Sequence, residues 1–143
     1  MEFFTIWVRS NVSIFPFSYS KNNAGAIPDK IIVYRDGVSE GQIRYVKETE
    51  IANIKTVFKN LKVQPKFAFI IVNKRINSRF YARKGTDYGN PPAGTVIDDT
   101  VTLPERYDFF VIPQNVRQGT VNPTSYNCIE VFISIELNGA MLT

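Results

Sequence analysis

The sequence predicts an α/β fold from three observations. Two short β-branched apolar runs, Ile31–Tyr34 and Phe67–Val72, have the appearance of strands buried on both faces. Between them the apolar residues recur at helical spacing. A capping-box pattern, Ser39-Glu40-Gly41-Gln42, opens that helical stretch.

The order begins at Pro28. The run Ile31–Tyr34 stops at Asp36-Gly37, a dipeptide suited to a turn. The helix that follows carries Ile43, Val46, Ile51, Ile54, Val57, Phe58 and Leu61, mostly at three- and four-residue steps. Arg44, Lys47, Lys55 and Lys59 fall largely on the other side. Pro65 is expected to end it, and Phe67–Val72 then reads as a second buried strand, so the whole stretch is a βαβ unit with parallel strands. Gly85 to Gly94 is too rich in glycine and proline for regular structure. Gly94 to Val101 and Tyr107 to Ile112 read as short strands separated by Thr102-Leu103-Pro104. Asn115 to Thr124 reads as a polar loop, and Cys128 to Ile135 is apolar again. No internal repeat is evident.

The first twenty residues match this pattern poorly. They are apolar and aromatic, yet Glu2, Arg9 and Pro16 interrupt them, and they show neither a helical stripe nor strict alternation. The acidic start and Arg9 also depart from a signal peptide, and no run reaches the roughly 20 apolar residues of a membrane span. A strand-like leader, or a segment foreign to the domain, is the expectation, with no membrane partner.

Composition narrows the chemistry. At 143 residues, 44% hydrophobic, the chain suits one domain with a core of its own. Its net charge of +4 favours a polyanionic partner without requiring one. The single cysteine, Cys128, rules out an internal disulfide framework and fits a reducing compartment. With no histidine, the chain cannot build a Ser-His-Asp triad, a Cys-His pair or a histidine metal ligand.

Two constellations remain. Asp36 ends a buried strand, where parallel sheets place ligand-facing side chains, and its carboxylate could hold a hard cation such as Mg²⁺. From local sequence alone, a turn-forming Asp-Gly that merely ends the strand is the favoured reading. One carboxylate is not a metal site, and Asp98 and Asp99 point to opposite faces of their expected strand. The second constellation is Asn73 to Lys84, NKRINSRFYARK, with Lys74, Arg75, Arg79, Arg83 and Lys84 and no acid. Arginine forks suit phosphate oxygens, and Phe80 and Tyr81 could stack on bases or enter the core. A solvated basic loop is the plain alternative. Gln114, Asn115, Arg117, Gln118, Asn122 and Asn127 add a cluster rich in amides, a residue type that contacts nucleic-acid backbones and also populates ordinary loops.

Several strings taken together resemble one family. PDKIIVYRDGVSEGQ (Pro28 to Gln42) is similar to the PIWI-domain signature of Argonaute proteins. KRINSRF, GTVID, YDFF and QGTVNPTSYN follow in the same order, and the last of these is closest to the Piwi clade. The resemblance divides the chain into an unmatched apolar leader (1–21), a partial PIWI domain (22–127) and an unmatched C-terminal tail (128–143). It implies an RNase H-like α/β fold, incomplete here, whose partners are a small guide RNA (piRNA) and a target RNA, together with other silencing proteins. Active members cleave the target with Mg²⁺ or Mn²⁺.

By the same resemblance, Asp36 matches the second aspartate of the family's Asp-Glu-Asp-His catalytic and metal-binding set. Lys74, Arg75 and Arg79 match a guide-contacting basic stretch, and Gln118 matches a guide-contacting glutamine. Asn77, Pro113, Gln114 and Asn122 depart from common Argonaute residues at their positions. The family's first Asp and its Glu precede the matched region and its His follows it, so this chain lacks most of the catalytic set. The expectation is a fragment of a Piwi-clade Argonaute, inactive by itself, with a cytoplasmic (perinuclear granules included) or nuclear parent. A non-catalytic RNA-binding or protein-interaction module is the alternative. Missing amino-terminal strands are further expected to leave a bare sheet edge.

Overall fold

A computed structural model describes residues 3–8, 28–102 and 106–131. Eight strands are seen: β1 (Phe3–Val8), β2 (Lys30–Asp36), β3 (Lys66–Asn73), β4 (Ala82–Lys84), β5 (Asp87–Gly89), β6 (Val96–Ile97), β7 (Tyr107–Val111) and β8 (Thr124–Val131). Six form one sheet in the order β1-β2-β3-β8-β7-β6, while β4 and β5 pair as a separate hairpin. β1, β2 and β3 run parallel, and the β8-β7-β6 half is antiparallel. The βαβ reading of Ile31 to Val72 therefore holds, with Asp36 and Val72 in register at the carboxyl ends of adjacent strands.

β2 stops where Gly37 adopts φ +78°, a conformation that costs glycine nothing, and the chain turns to bury Val38. The capping box then forms: Gln42 Oε1 accepts from the Ser39 amide at 3.0 Å and from its hydroxyl at 2.9 Å. A 3₁₀ turn (Glu40–Gln42), α1 (Ile43–Tyr45), a π-helical segment (Val46–Ile51) and α2 (Ala52–Asn60) follow head to tail.

The π segment explains the one irregular step in the apolar pattern. Val46 and Ile51 are five residues apart, which on an α-helix would put them about 140° out of phase. A wider i→i+5 turn returns both to the same face, and both are buried. The helix ends earlier than Pro65 requires. Lys62 takes φ +54°, its amide bonds the Lys59 carbonyl (3.1 Å), and the Val63 amide bonds the Phe58 carbonyl (3.0 Å), which is a Schellman closure.

The core lies between this helical run and one face of the sheet. Val38, Val46, Ile51, Ile54 and Phe58 pack on Ile31, Val33, Phe67, Phe69 and Ile71. On the other face Tyr34, Tyr107, Phe109 and Tyr126 form an aromatic group in which Phe109 and Tyr126 stack at 5.0 Å.

The strand-like reading of the leader holds for β1, which pairs with β2 along its whole length. Three expectations are revised. The Gly85 to Gly94 stretch is not free of regular structure, since β5 falls inside it and pairs with β4 across Gly85-Thr86. The strand expected over Gly94 to Val101 shrinks to Val96–Ile97, because Thr100 adopts φ +65° and Asp98 and Asp99 lie outside the ladder. The last strand starts earlier than Cys128, at Thr124. The rest of the leader, the Leu103-Pro104 break and the tail from residue 132 lie outside the described residues.

Candidate nucleic-acid interface

The parallel register of β2 and β3 brings the two constellations together. Asp36 ends β2 and Lys74 follows β3 directly, so residues 38 apart in sequence meet: Lys74 Nζ lies 2.9 Å from Asp36 Oδ2. Asp36 is held from behind as well. Arg35 Nη1 donates to the Asp36 carbonyl at 2.7 Å, while its Nε and Nη2 reach Glu50 Oε2 and Oε1 at 3.0 and 3.1 Å. The Arg35 and Glu50 side chains are only 14% and 15% exposed, so this forked pair ties the end of β2 to the π-helical segment in a poorly solvated setting.

Beyond Lys74 the basic run leaves the sheet. Arg75, Arg79, Arg83 and Lys84 are all exposed. Arg79 Nη1 bonds the Ile76 and Ser78 carbonyls, each at 2.8 Å, and Arg83 Nε bonds the Gly85 carbonyl at 2.9 Å. These two guanidiniums shape their own loop while keeping a surface toward solvent. The two aromatics divide: Phe80 packs on Phe110 at 5.2 Å, whereas Tyr81 remains exposed, 3.4 Å through its hydroxyl from Thr120 Oγ1.

Tyr81 thereby marks where the basic loop meets the loop that carries Gln118, which is also exposed. Asn90 braces that second loop. Its side-chain amide donates to the Gly119 carbonyl at 2.8 Å and its oxygen accepts from the Val121 amide at 3.0 Å. Asn115 accepts from the Ala93 amide at 3.0 Å, so this member of the amide cluster joins loop to loop. Asn127 lies within β8. Lys74, Arg75, Arg79 and Gln118 thus occupy adjoining loops.

Asn90, Glu50 and Arg35 were missed by sequence reasoning. The five-residue step at Val46–Ile51 was the available signal for Glu50; nothing local distinguished Asn90 from other polar residues of a turn-rich loop.

The electrostatics favour anions over metal chemistry. Among the described residues no three of His, Cys, Asp and Glu converge, and the Asp36 carboxylate faces an ammonium. These residues by themselves do not fit Mg²⁺ or Mn²⁺, which need several oxygen donors. Burial pushes the Cys128 thiol up to about 11, which disfavours its thiolate form at neutral pH. Burial likewise raises Tyr34 and Tyr107 above the usual phenol value. No helix among the described residues is long and apolar enough to cross a membrane.

Comparison with known proteins identifies the family. Residues 8–134 match the Piwi domain model, a span that passes both ends of the 22–127 stretch. The chain is 56% identical over 108 residues to Piwi-like protein Siwi of Bombyx mori, an alignment covering 74% of this chain and 12% of that protein. The crystal structure of Drosophila Piwi superposes with a TM-score of 0.68 at 36% identity, covering 85% of this chain and 17% of the other. Kluyveromyces polysporus Argonaute, solved with a guide RNA, gives 0.67 at 29% identity, covering 81% and 16%. The chain spans about an eighth of the length of the curated relatives it matches. Its sheet and helix are part of the RNase H-like fold of those PIWI domains. On the extent of the family match and the identity to Siwi, the chain belongs to the Piwi domain family.

Proposed function

We propose that this chain is part of a Piwi-clade Argonaute that acts in piRNA-guided silencing, and that its own share of the work is to hold the phosphate backbone of a guide RNA and, through it, a paired target. The observation that carries this reading is the exposed, acid-free run from Lys74 to Lys84, set at the carboxyl ends of two parallel strands beside the Gln118 loop. Its relative from Kluyveromyces polysporus was solved with a guide RNA, which supports the same class of ligand here. Arg75 and Arg79 supply forked donors for phosphate oxygens, Lys74 a point charge, and Gln118 a neutral amide for sugar or phosphate.

Metal-dependent cleavage belongs, in this proposal, to a longer parent that brings further donors to Asp36. The chain alone binds without cutting. The test is fluorescence anisotropy with a short single-stranded RNA across a salt series. Binding should weaken as salt rises, and Arg75→Ala should lower affinity and flatten the log–log salt slope by about one, as expected when one phosphate contact is lost. No binding at low salt, or a slope unmoved by the substitution, overturns the reading.

A further inference from the structure

Lys74 faces two anions once RNA is considered. Its ammonium lies 2.9 Å from Asp36 Oδ2, at a carboxylate only 22% exposed, whereas Lys74 itself is 54% exposed and opens toward the basic run. The arrangement is built into the fold. Strand register sets Asp36 beside the end of β3, and Arg35, itself forked onto Glu50, fixes the Asp36 carbonyl at 2.7 Å. Arg75, Arg79, Arg83 and Lys84 extend from the same strand end with no acid in the intervening sequence.

We propose that Asp36 is an internal competitor for RNA phosphate: its carboxylate holds the Lys74 ammonium, and RNA must take Lys74 from it. This inference rests on the RNA-binding reading above. An anion beside the lysine does two things: it partly neutralises the charge that phosphate would meet, and it repels the phosphate directly. Asp36 therefore acts in this chain on a phosphate-binding lysine.

The consequence runs against the usual expectation for a carboxylate at a functional site. Removing its charge should tighten RNA binding. A half-exposed ion pair is weak, so the gain should be about two- to five-fold for Asp36→Asn at low salt. The pairing also predicts that Lys74→Met costs little in the wild-type chain, where Lys74 is already partly neutralised, and more in the Asp36→Asn background.

The four proteins of this double-mutant cycle, measured with the full 143-residue chain and the same single-stranded RNA, test the proposal. Glu48→Gln, at an exposed carboxylate paired with Arg44, controls for the general loss of one negative charge. Circular dichroism checks that each variant keeps its fold. Tighter binding in Asp36→Asn that exceeds the Glu48→Gln effect and is smaller when Lys74 is Met supports the competition, whereas a gain no larger than that of Glu48→Gln, or the same in both Lys74 backgrounds, overturns it. Unchanged or weaker binding in Asp36→Asn, while Arg75→Ala still lowers affinity, overturns it and leaves the RNA-binding reading standing. Absence of RNA binding by both wild type and Asp36→Asn overturns both.

Discussion

β3 and β7 belong to one sheet and are separated by a single strand, yet they are built on different physics. β3 sits between two neighbours with the helical run on one side, and Phe67, Ala68, Phe69, Ile71 and Val72 are all buried. β7 has no fully buried residue; its five positions are half-exposed, and aromatic contacts of Tyr107, Phe109 and Phe110 join it to its surroundings. Burial on two faces selects almost any apolar β-branched or aromatic sequence, while a half-covered antiparallel strand depends on particular side-chain pairs. The parallel half therefore carries the core and the strand end from which the basic run leaves, and the antiparallel half carries the Gln118 loop that adjoins it.

The comparison is sharpest at single phenylalanines. Phe69→Ala removes a side chain with no solvent exposure and should cost about 3–5 kcal/mol, enough to unfold a marginal domain, as read by urea denaturation. Phe109→Ala removes a half-exposed partner of a stacked pair and should cost about 1–2 kcal/mol, part of it recovered in a cycle with Tyr126→Ala as coupling between the rings. Equal losses at the two positions would break the contrast.

The smallest effect is an alkaline pH dependence to which Cys128 of the antiparallel half contributes. Cys128 in β8 has its thiol raised from 9.0 to about 11 by burial. The folded chain therefore holds that proton more tightly than the unfolded chain. The associated stability is complete below pH 9 and is lost as pH rises through about 11. Cys128→Ala should flatten this part of the stability curve, leaving the contributions of Tyr34 and Tyr107, which are raised in the same direction. An unaltered alkaline limb would show that the thiol is solvated in the native state.

The same contrast explains what was legible in sequence. β2, the helix start and β3 could be read because each is signalled locally, by an apolar run or by the Ser39–Gln42 spacing. β1 was legible only as one of two readings of the leader, because FFTIWV becomes a strand by pairing with residues well over twenty positions away and no local alternation announces that. β6 was overread because Thr100 departs from extended geometry despite a residue type that favours strands.

At the site, residue chemistry made Lys74, Arg75, Arg79, Gln118 and Asp36 candidates, and family resemblance gave them roles. Their mutual placement was invisible. The Asp36–Lys74 pair depends on the register of two strands, and the Arg35–Glu50 pair on the phase of a helix.

That phase has a further meaning. The helical run is anchored at both ends, by the capping box next to β2 and by the Schellman closure leading into β3, and the spacing of the two strand ends is set by the sheet. A uniform α-helix between fixed anchors has no freedom to correct a mismatch between residue number and rotation. The wide turn at Val46–Ile51 acts as a vernier: it absorbs the surplus so that Ile54 and Phe58 return to the core side and Glu50 comes within reach of Arg35. Tolerance for one residue too many is thus concentrated in a single turn, away from both anchors, and the geometry at the end of β2 is spared the error.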